Sequence, residues 1–389
     1  MTARPAGGPG DERVGSDVLS DAARLRRTVV VKVGSSSVTT PEGETDVWLV
    51  GRLCGELAAL RAAGWQVVVV SSGAIATGWH VLGRGRPRPA DPAVLQAVSA
   101  VGQHRLMRAW QEALEPHGLL AGQVLLAPLD FVHRQQYLHA RATLAHLLEL
   151  GVVPVVNEND AVADEEIRFG DNDRLGALVA HLAGAELLLL LTDTAGLLTA
   201  DPRLAAEASL IEEVVEIDHQ LEQVAGGPGT AVGSGGMASK LAAAKMATWS
   251  GVTTVIADAG RPGVLGDVVA GTPGSGTVFR PRRRRLPARK LWIAFAVGAS
   301  GTVVVDDGAR RALVEDGRSL LPAGVLEVRG SFGQDEAVEI ADAAGAVFAK
   351  GLARHPAARA DEWVGRRTGA LPEDLPPEVV HRDDLVLLT

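Results

Sequence analysis

Cysteine is nearly absent: Cys54 is the only one in 389 residues. That excludes an intrachain disulfide framework and fits a reducing cytoplasm. Cys54 falls in a helical pattern and reads as a small buried hydrophobe. Aromatic residues are scarce at 4%, so any core must be built from Ala, Val and Leu. Residues 1–22 carry Pro, Gly and acids without the apolar centre of a signal peptide. The longest apolar stretch, Leu187 to Leu191 and its flanks, is too short to span a bilayer and ends at Asp193. Positive charge is not in excess either: the net charge of −9 argues against wholesale coating of nucleic acid. A soluble cytoplasmic protein is expected.

Hydrophobic residues, at 47%, are ample for large cores, and the length suggests roughly two or three domains. Residues 1–26 read as a disordered leader. Strand-like and helix-like segments then alternate. Thr28 to Val33, Trp65 to Val70, Gln123 to Leu126, Val152 to Val156, Glu186 to Leu191 and Thr253 to Ile256 read as strands. Asp46 to Ala63, Pro92 to Leu114, Arg134 to Leu150, Asn172 to Leu182 and Gly235 to Ser250 read as helices. This alternation predicts a mainly parallel sheet with helices on both faces, a three-layer α/β sandwich over 27–280. Arg280, Arg282 to Arg285, Arg289 and Lys290, broken by Pro281 and Pro287, read as a basic linker over 281–290. Short β-rich pieces follow, Leu291 to Ala296 first among them, and predict a small β-barrel-like domain over 291–370. The tail, 371–389, is rich in Pro and acids and is expected to be loosely ordered.

Five motifs carry chemistry. The apolar run Val153 to Val156 breaks into Asn157-Glu158-Asn159-Asp160, and Gly170-Asp171-Asn172-Asp173 opens the next helix. Ligands of open α/β sheets bind outside the carboxyl ends of the strands, so these polar residues fall where substrate chemistry is expected. Lys32 lies inside an apolar strand and precedes Gly34 and three serines. A lysine there is costly unless it meets an anion, and a Gly/Ser turn can form an anion-binding nest; a snorkelling lysine is the plain alternative. Gly233 to Lys240 is a Gly-rich turn opening a helix, which is an anion site by its free N–H groups and dipole. It is not a P-loop, because Ser239 stands where the glycine before the lysine belongs. Ser71-Ser72-Gly73-Ala74-Ile75 lacks the Gly-x-Ser-x-Gly elbow of a nucleophile and reads as an anion contact instead. Thr192-Asp193 ends a strand where a nucleotide could be held. His104, His133, His139 and His146 lack metal-ligand spacing.

These motifs, in this order, resemble the amino-acid kinase family, and the resemblance spans roughly residues 27–370. Asp306-Asp307-Gly308-Ala309 and Ser319 to Val325 resemble a PUA domain, a module that binds RNA in other proteins. The resemblance implies transfer of the ATP γ-phosphate to the side-chain carboxylate of L-glutamate, the first step of proline synthesis, commonly inhibited by proline. It assigns Lys32, Asp173 and Lys240 to catalysis, Asp173 orienting the lysines. It assigns Ser72, Asp160 and Asn172 to glutamate, with Asp160 taking the ammonium and Asn172 hydrogen-bonding a carboxylate. Lys32, Thr192, Asp193, Ser234, Gly235, Gly236, Met237, Ala238, Ser239 and Lys240 match the nucleotide site, with Mg²⁺ carried largely by the phosphates. A homo-oligomer is expected, and RNA is a conceivable partner of the PUA-like domain. Ser234 and Ala238 depart from the hydroxyl residues more usual there, Thr and Ser, and Asp335-Glu336 stands where Gly-Asp is common. Two alternatives stay open: a kinase of the same fold acting on acetylglutamate, aspartate or a nucleoside monophosphate, and an RNA-binding protein with a relict kinase domain.

Overall fold

The computed structural model describes residues 27–83, 86–131, 133–162, 172–200, 208–218, 221, 236–282, 285–372 and 374–388. The expected leader, 1–26, lies outside them, as do Gly170, Asp171, Ser234 and Gly235.

An eight-stranded sheet forms the first unit, in the order β3-β4-β2-β1-β5-β7-β8-β6. Its strands are β1 (Thr28–Val33), β2 (Gln66–Ser71), β3 (Ala121–Leu126), β4 (Val153–Glu158), β5 (Leu187–Thr192), β6 (Glu213–Val214), β7 (Thr253–Asp258) and β8 (Thr277–Phe279). All pairs are parallel except β7 with β8. From β1 the chain moves to β2 on one side, and it later returns to lay β5 on the other. The crevice of this topological switch therefore opens at the carboxyl ends of β1 and β5.

The helices are α1 (Ser35–Val38), α2 (Val47–Ala62), α3 (Ala74–Gly83), α4 (Pro92–Leu114), α5 (Arg134–Glu149), α6 (Asn172–Leu182), α7 (Met237–Trp249) and α8 (Val264–Ala270). Their starts are written in the sequence. Asp46 accepts from Leu49 N at 2.9 Å to begin α2. Asp91 accepts from Ala93 N at 2.9 Å to begin α4, with Pro92 at the first helical position. Strand parity sorts the core into two layers. Val29, Val31 and Val33 pack with α2, α4 and α8. Val30 packs with α5, α6 and α7 on the other face. Lys32 has the parity of Val30, so the only charged residue of β1 points at α6 and α7.

The second unit is a five-stranded sheet in the order β10-β9-β11-β12-β13. Its strands are β9 (Gly301–Val305), β10 (Val325–Gly330), β11 (Ala337–Ala341), β12 (Val347–Ala353) and β13 (Val380–Leu387). α9 (Ala288–Leu291), α10 (Asp307–Val314) and α11 (Ala357–Glu362) accompany it. Two expectations are corrected here. Leu291 to Ala296 is not a strand: α9 runs into a wider helical turn over Trp292–Ala296. Leu291, Trp292 and Ile293 are consecutive and all buried in the core shared with α6 and α7. A strand would turn alternate residues out, whereas a helical turn can bury all three. The tail is not loose either, because β13 pairs antiparallel with β12 and supplies Leu385 and Val386 to buried clusters. The burial of β13 runs in blocks, His381 to Asp383 turned out and Asp384 to Val386 buried, so no alternation marks the strand among its acids.

Candidate active site

At the switch point three buried ionisable side chains meet. Lys32, Asp173 and Lys240 are 2%, 0% and 4% exposed. Lys32 Nζ contacts Asp173 Oδ1, and Lys240 Nζ lies 3.3 Å from Oδ2. Ser239 Oγ lies 2.9 Å from Oδ2 and 2.9 Å from the Gly236 carbonyl, two acceptors for its one proton. Burial alone would push the Asp173 carboxyl up; the two ammonium groups, with hydrogen bonds from Lys32 and Ser239, outweigh it and hold it below the usual carboxylate range. Asp173 lies in the first turn of α6, where the helix dipole also favours a negative charge. Among the described residues the contact set holds two cations and one anion.

Packing makes room for this. A Cβ on Gly176 would stand 3.3 Å from Lys32 Cβ and 3.5 Å from its Cγ, so the glycine in mid-helix lets the lysine stem pass under α6. The start of α7 has no side-chain cap, so N–H groups of its first turn stay available beside Gly236 and Ala238. Gly236 and Ala238 are exposed and Met237 is half-buried. Thr192 and Asp193 end β5, next to β1, with Thr192 Oγ1 donating to Asp193 Oδ1 at 3.1 Å.

Next to the cluster runs a chain of amides. Asn172 Nδ2 donates to the Ser71 carbonyl at 2.9 Å and to Asn157 Oδ1 at 2.6 Å. Asn157 Nδ2 donates to Gln103 Oε1 at 2.7 Å, and Gln103 Nε2 donates to Gln123 Oε1 at 3.5 Å. A backbone carbonyl can only accept, so Ser71 O fixes which end of the Asn172 amide faces it. Both Asn172 N–H donors are thereby used, and its carbonyl oxygen is the end left for a ligand. In this arrangement the Asn172 side chain presents an acceptor to the crevice, whereas the resemblance implies a hydrogen bond to a carboxylate. Ser72 is buried next to this network, its N–H donating to the Val33 carbonyl at 3.1 Å. Asp160 follows β4 and is half-buried. With Glu158, Asn159, Ser99, Gln103 and Gln123 it lines a pocket of about 310 Å³.

Of the residues singled out from the sequence, the structure joins Lys32, Asp173, Lys240 and Ser239 in one contact set, with Asn172 adjacent. Ser72 and Asp160 flank the amide chain, and Thr192, Asp193 and Gly236 to Ala238 stand at strand and helix ends. Ser234 and Gly235 lie outside the described residues. Sequence reasoning placed Asn157 at the site but missed its link to Asn172 and to Gln103. A glutamine on the buried face of α4 was the only signal for Gln103. It also missed Gly176, signalled by a glycine inside a helical pattern.

A buried cation pair bound through one carboxylate, at the switch point of this sheet, is a site built to manage anions. The chain belongs to the amino acid kinase family: the model of the Amino acid kinase family matches residues 27–258, and that of the PUA domain matches residues 301–368. Its relatives over nearly the full length are glutamate 5-kinases. That of Pelobacter propionicus is 45% identical over 369 residues, 94% of this chain and 98% of the relative. That of Syntrophotalea carbinolica is 46% identical over 376 residues, 95% and 99% of the two chains. That of Moorella thermoacetica is 46% identical over 374 residues, 95% and 97%.

Proposed function

We propose that this crevice transfers the γ-phosphoryl group of ATP to the side-chain carboxylate of L-glutamate, giving L-glutamate 5-phosphate and ADP, the opening step of proline synthesis. The observation that carries this reading is the meeting of Lys32 and Lys240 on Asp173, beside Asn172. A carboxylate is already a nucleophile, so its oxygen attacks phosphorus without a general base while the bond to the β-phosphate oxygen breaks. The protein's task is to bring two anions together and to hold positive charge where negative charge moves.

Lys32 and Lys240 supply that charge from a strand and a helix. Asp173 keeps two mutually repelling ammonium groups at one place and in one orientation. Asn172, with its carbonyl oxygen, and Asp160, with its carboxylate, receive the glutamate ammonium. Ser72 and the backbone around it receive the α-carboxylate. Thr192, Asp193 and the segment Ser234 to Lys240 hold the nucleotide. Mg²⁺ neutralises the β- and γ-phosphates when the nucleotide is bound. The donor set suits an ion carried by those phosphates, since Asp173 is committed to two lysines and no group of three His, Cys, Asp or Glu placed to hold a metal ion occurs among the described residues. Proline inhibition, a homo-oligomeric state and a cytoplasmic location belong to the same reading. Val47 and Trp48, 71% and 70% exposed at the head of α2, support the second, and the single buried Cys54 supports the third.

The test is ADP release in a coupled assay with L-glutamate, acetylglutamate and aspartate in parallel, each with and without proline. Release that depends on glutamate and falls with proline is expected. Preference for another acid would overturn the substrate assignment.

A further inference from the structure

The basic segment after residue 280 is not a free linker. Arg282 N donates to the Thr248 carbonyl and Leu286 N to the Trp249 carbonyl, both at 2.9 Å, which ties the segment to the end of α7. Between this segment and the second unit lies a cavity of about 440 Å³. Four cationic side chains line it from three separate stretches: Arg282 and Lys290 from the segment, Arg318 beyond α10, and Arg382 on β13. Glu315 and Asp316 are the acids in its lining. The local balance is four positive against two negative, a surplus of two, in a chain whose net charge is −9.

The guanidinium groups are only loosely engaged. Arg282 stacks over Trp249 at 4.2 Å from the ring centroid and reaches Glu216 at 3.3 Å. Arg318 lies 3.4 Å from Asp316, and Arg382 lies 3.9 Å from Asp383. Each guanidinium thus makes one long ion-pair contact, Arg282 adding a ring stack, and a five-donor fork has further N–H groups to offer. Lys290 Nζ donates to the Arg382 carbonyl at 3.1 Å, which draws β13 toward the segment. Below the charges the lining is apolar, with Leu286, Leu313 and Val386.

We propose that this seam is a second binding site, for a small organic phosphate ester whose apolar part rests on the floor and whose phosphate meets Arg282, Arg318 and Arg382. The volume is that of a small-molecule pocket, in the range of roughly 300–1,000 Å³. Planar guanidinium forks are the usual partners of phosphate oxygens. An extended polynucleotide fits less well, because Glu315 and Asp316 stand among the cations and would face successive phosphates. The ligand would join the two units, since its contacts come from both sides of the seam.

The test uses the full chain with its catalytic site filled by L-glutamate and a non-hydrolysable ATP analogue. AMP and inorganic tripolyphosphate are then titrated by calorimetry at two salt concentrations. One equivalent of AMP per chain is expected, weakening as salt rises. Tripolyphosphate, which has charge without an apolar part, should bind less tightly. The pair Arg318→Ala and Arg382→Ala should weaken AMP binding about tenfold or more, with kcat for glutamate unchanged. Arg318→Gln alone, at a side chain 74% exposed, gives the same reading in smaller measure should the double variant fold poorly. No binding with the catalytic site filled, or equal affinity in the variants, would overturn the proposal. So would a structured RNA that binds the wild type, is lost in the variants and finds no counterpart in AMP, because the face would then serve nucleic acid.

Discussion

Lys32 and Lys240 share one carboxylate: the first contacts Asp173 Oδ1 and the second lies 3.3 Å from Oδ2. Neither lysine could be buried there alone, and the two together could not be buried without Asp173. Charge counting orders the variants. Lys32→Met or Lys240→Met leaves one cation facing one anion, whereas Asp173→Asn leaves two cations facing each other. Urea unfolding should therefore show Asp173→Asn as the least stable of the three, by on the order of 3–5 kcal/mol relative to wild type. Turnover should follow another order, with each lysine variant losing about 10²–10³ in kcat while circular dichroism stays native. Near-normal turnover in both lysine variants would remove the phosphoryl-transfer role.

The same carboxylate sets an acid limit. Its pKa is lowered in the folded state from the ordinary 3.8, so the unfolded chain binds a proton more readily. Stability from this group is complete above the unfolded value and is lost as pH falls through the folded one. Acid titration should show a component of unfolding below the usual carboxylate range that is missing in Asp173→Asn. Parallel acid curves for the two proteins would show that other groups dominate.

Gly78 and Gly102 bring α3 and α4 into backbone contact. A Cβ at Gly102 would sit 1.7 Å from the Ala74 carbonyl oxygen, and one at Gly78 would sit 2.1 Å from that of Val98. Ala74 begins α3, directly after Ser72 and Gly73. Gly102→Ala must therefore push the start of α3 away from α4. The expected result is a rise in KM for glutamate larger than that for ATP, with a loss of roughly 1–3 kcal/mol in stability. Equal changes in both KM values would mean a general loss of structure.

How far these residues could be read from the chain differed by the kind of signal. The ends of strands and the starts of helices are local, and α4 over Pro92–Leu114 and α6 over Asn172–Leu182 have the expected bounds. Lys32 stood out because a charge in an apolar strand demands a partner. The partner's identity came from the motif order, since residues 32, 173 and 240 meet only through the strand order of the sheet. Gln103 and Asn157 could not be linked, because an amide carries no charge to betray it and their contact joins α4 to β4. β13 was missed for another reason: its acids, Asp383 exposed and Asp384 buried beside Arg289, resemble those of a loop until β12 is beside it.

Cys54 offers a probe of global opening. It is fully buried on α2, and burial pushes its thiol up to about 12. The thiolate needed for alkylation is scarce in the native state on both counts. Native protein should stay unlabelled by iodoacetamide at neutral pH, and labelling should rise along the urea unfolding curve. Rapid labelling without denaturant would contradict the packing of α2 on the sheet.

Lys350 places a titrating group between the two units. It lies on β12 with its ammonium donating to the Val297 carbonyl, and burial lowers its pKa from 10.5 to about 8, with Arg174 adding to the lowering and Glu339 opposing it. Arg174 is the residue after Asp173, so the second sheet faces the helix that carries the Asp173 carboxylate. A lysine with a depressed folded pKa is a penalty wherever both states would otherwise be charged. That penalty is complete below about pH 8 and is relieved as pH rises toward 10.5, because there the unfolded chain binds more protons. Wild-type stability should thus gain a rising component between pH 8 and 10.5 that Lys350→Met lacks. Chemical denaturation at pH 7, 8.5 and 10 would measure it, and the difference between the two proteins should narrow from one pH to the next if the lost hydrogen bond to Val297 were the sole effect of the substitution. A wild-type minus variant stability that instead grows with pH identifies the lysine's own titration, because the hydrogen bond alone has no reason to strengthen as its donor loses charge.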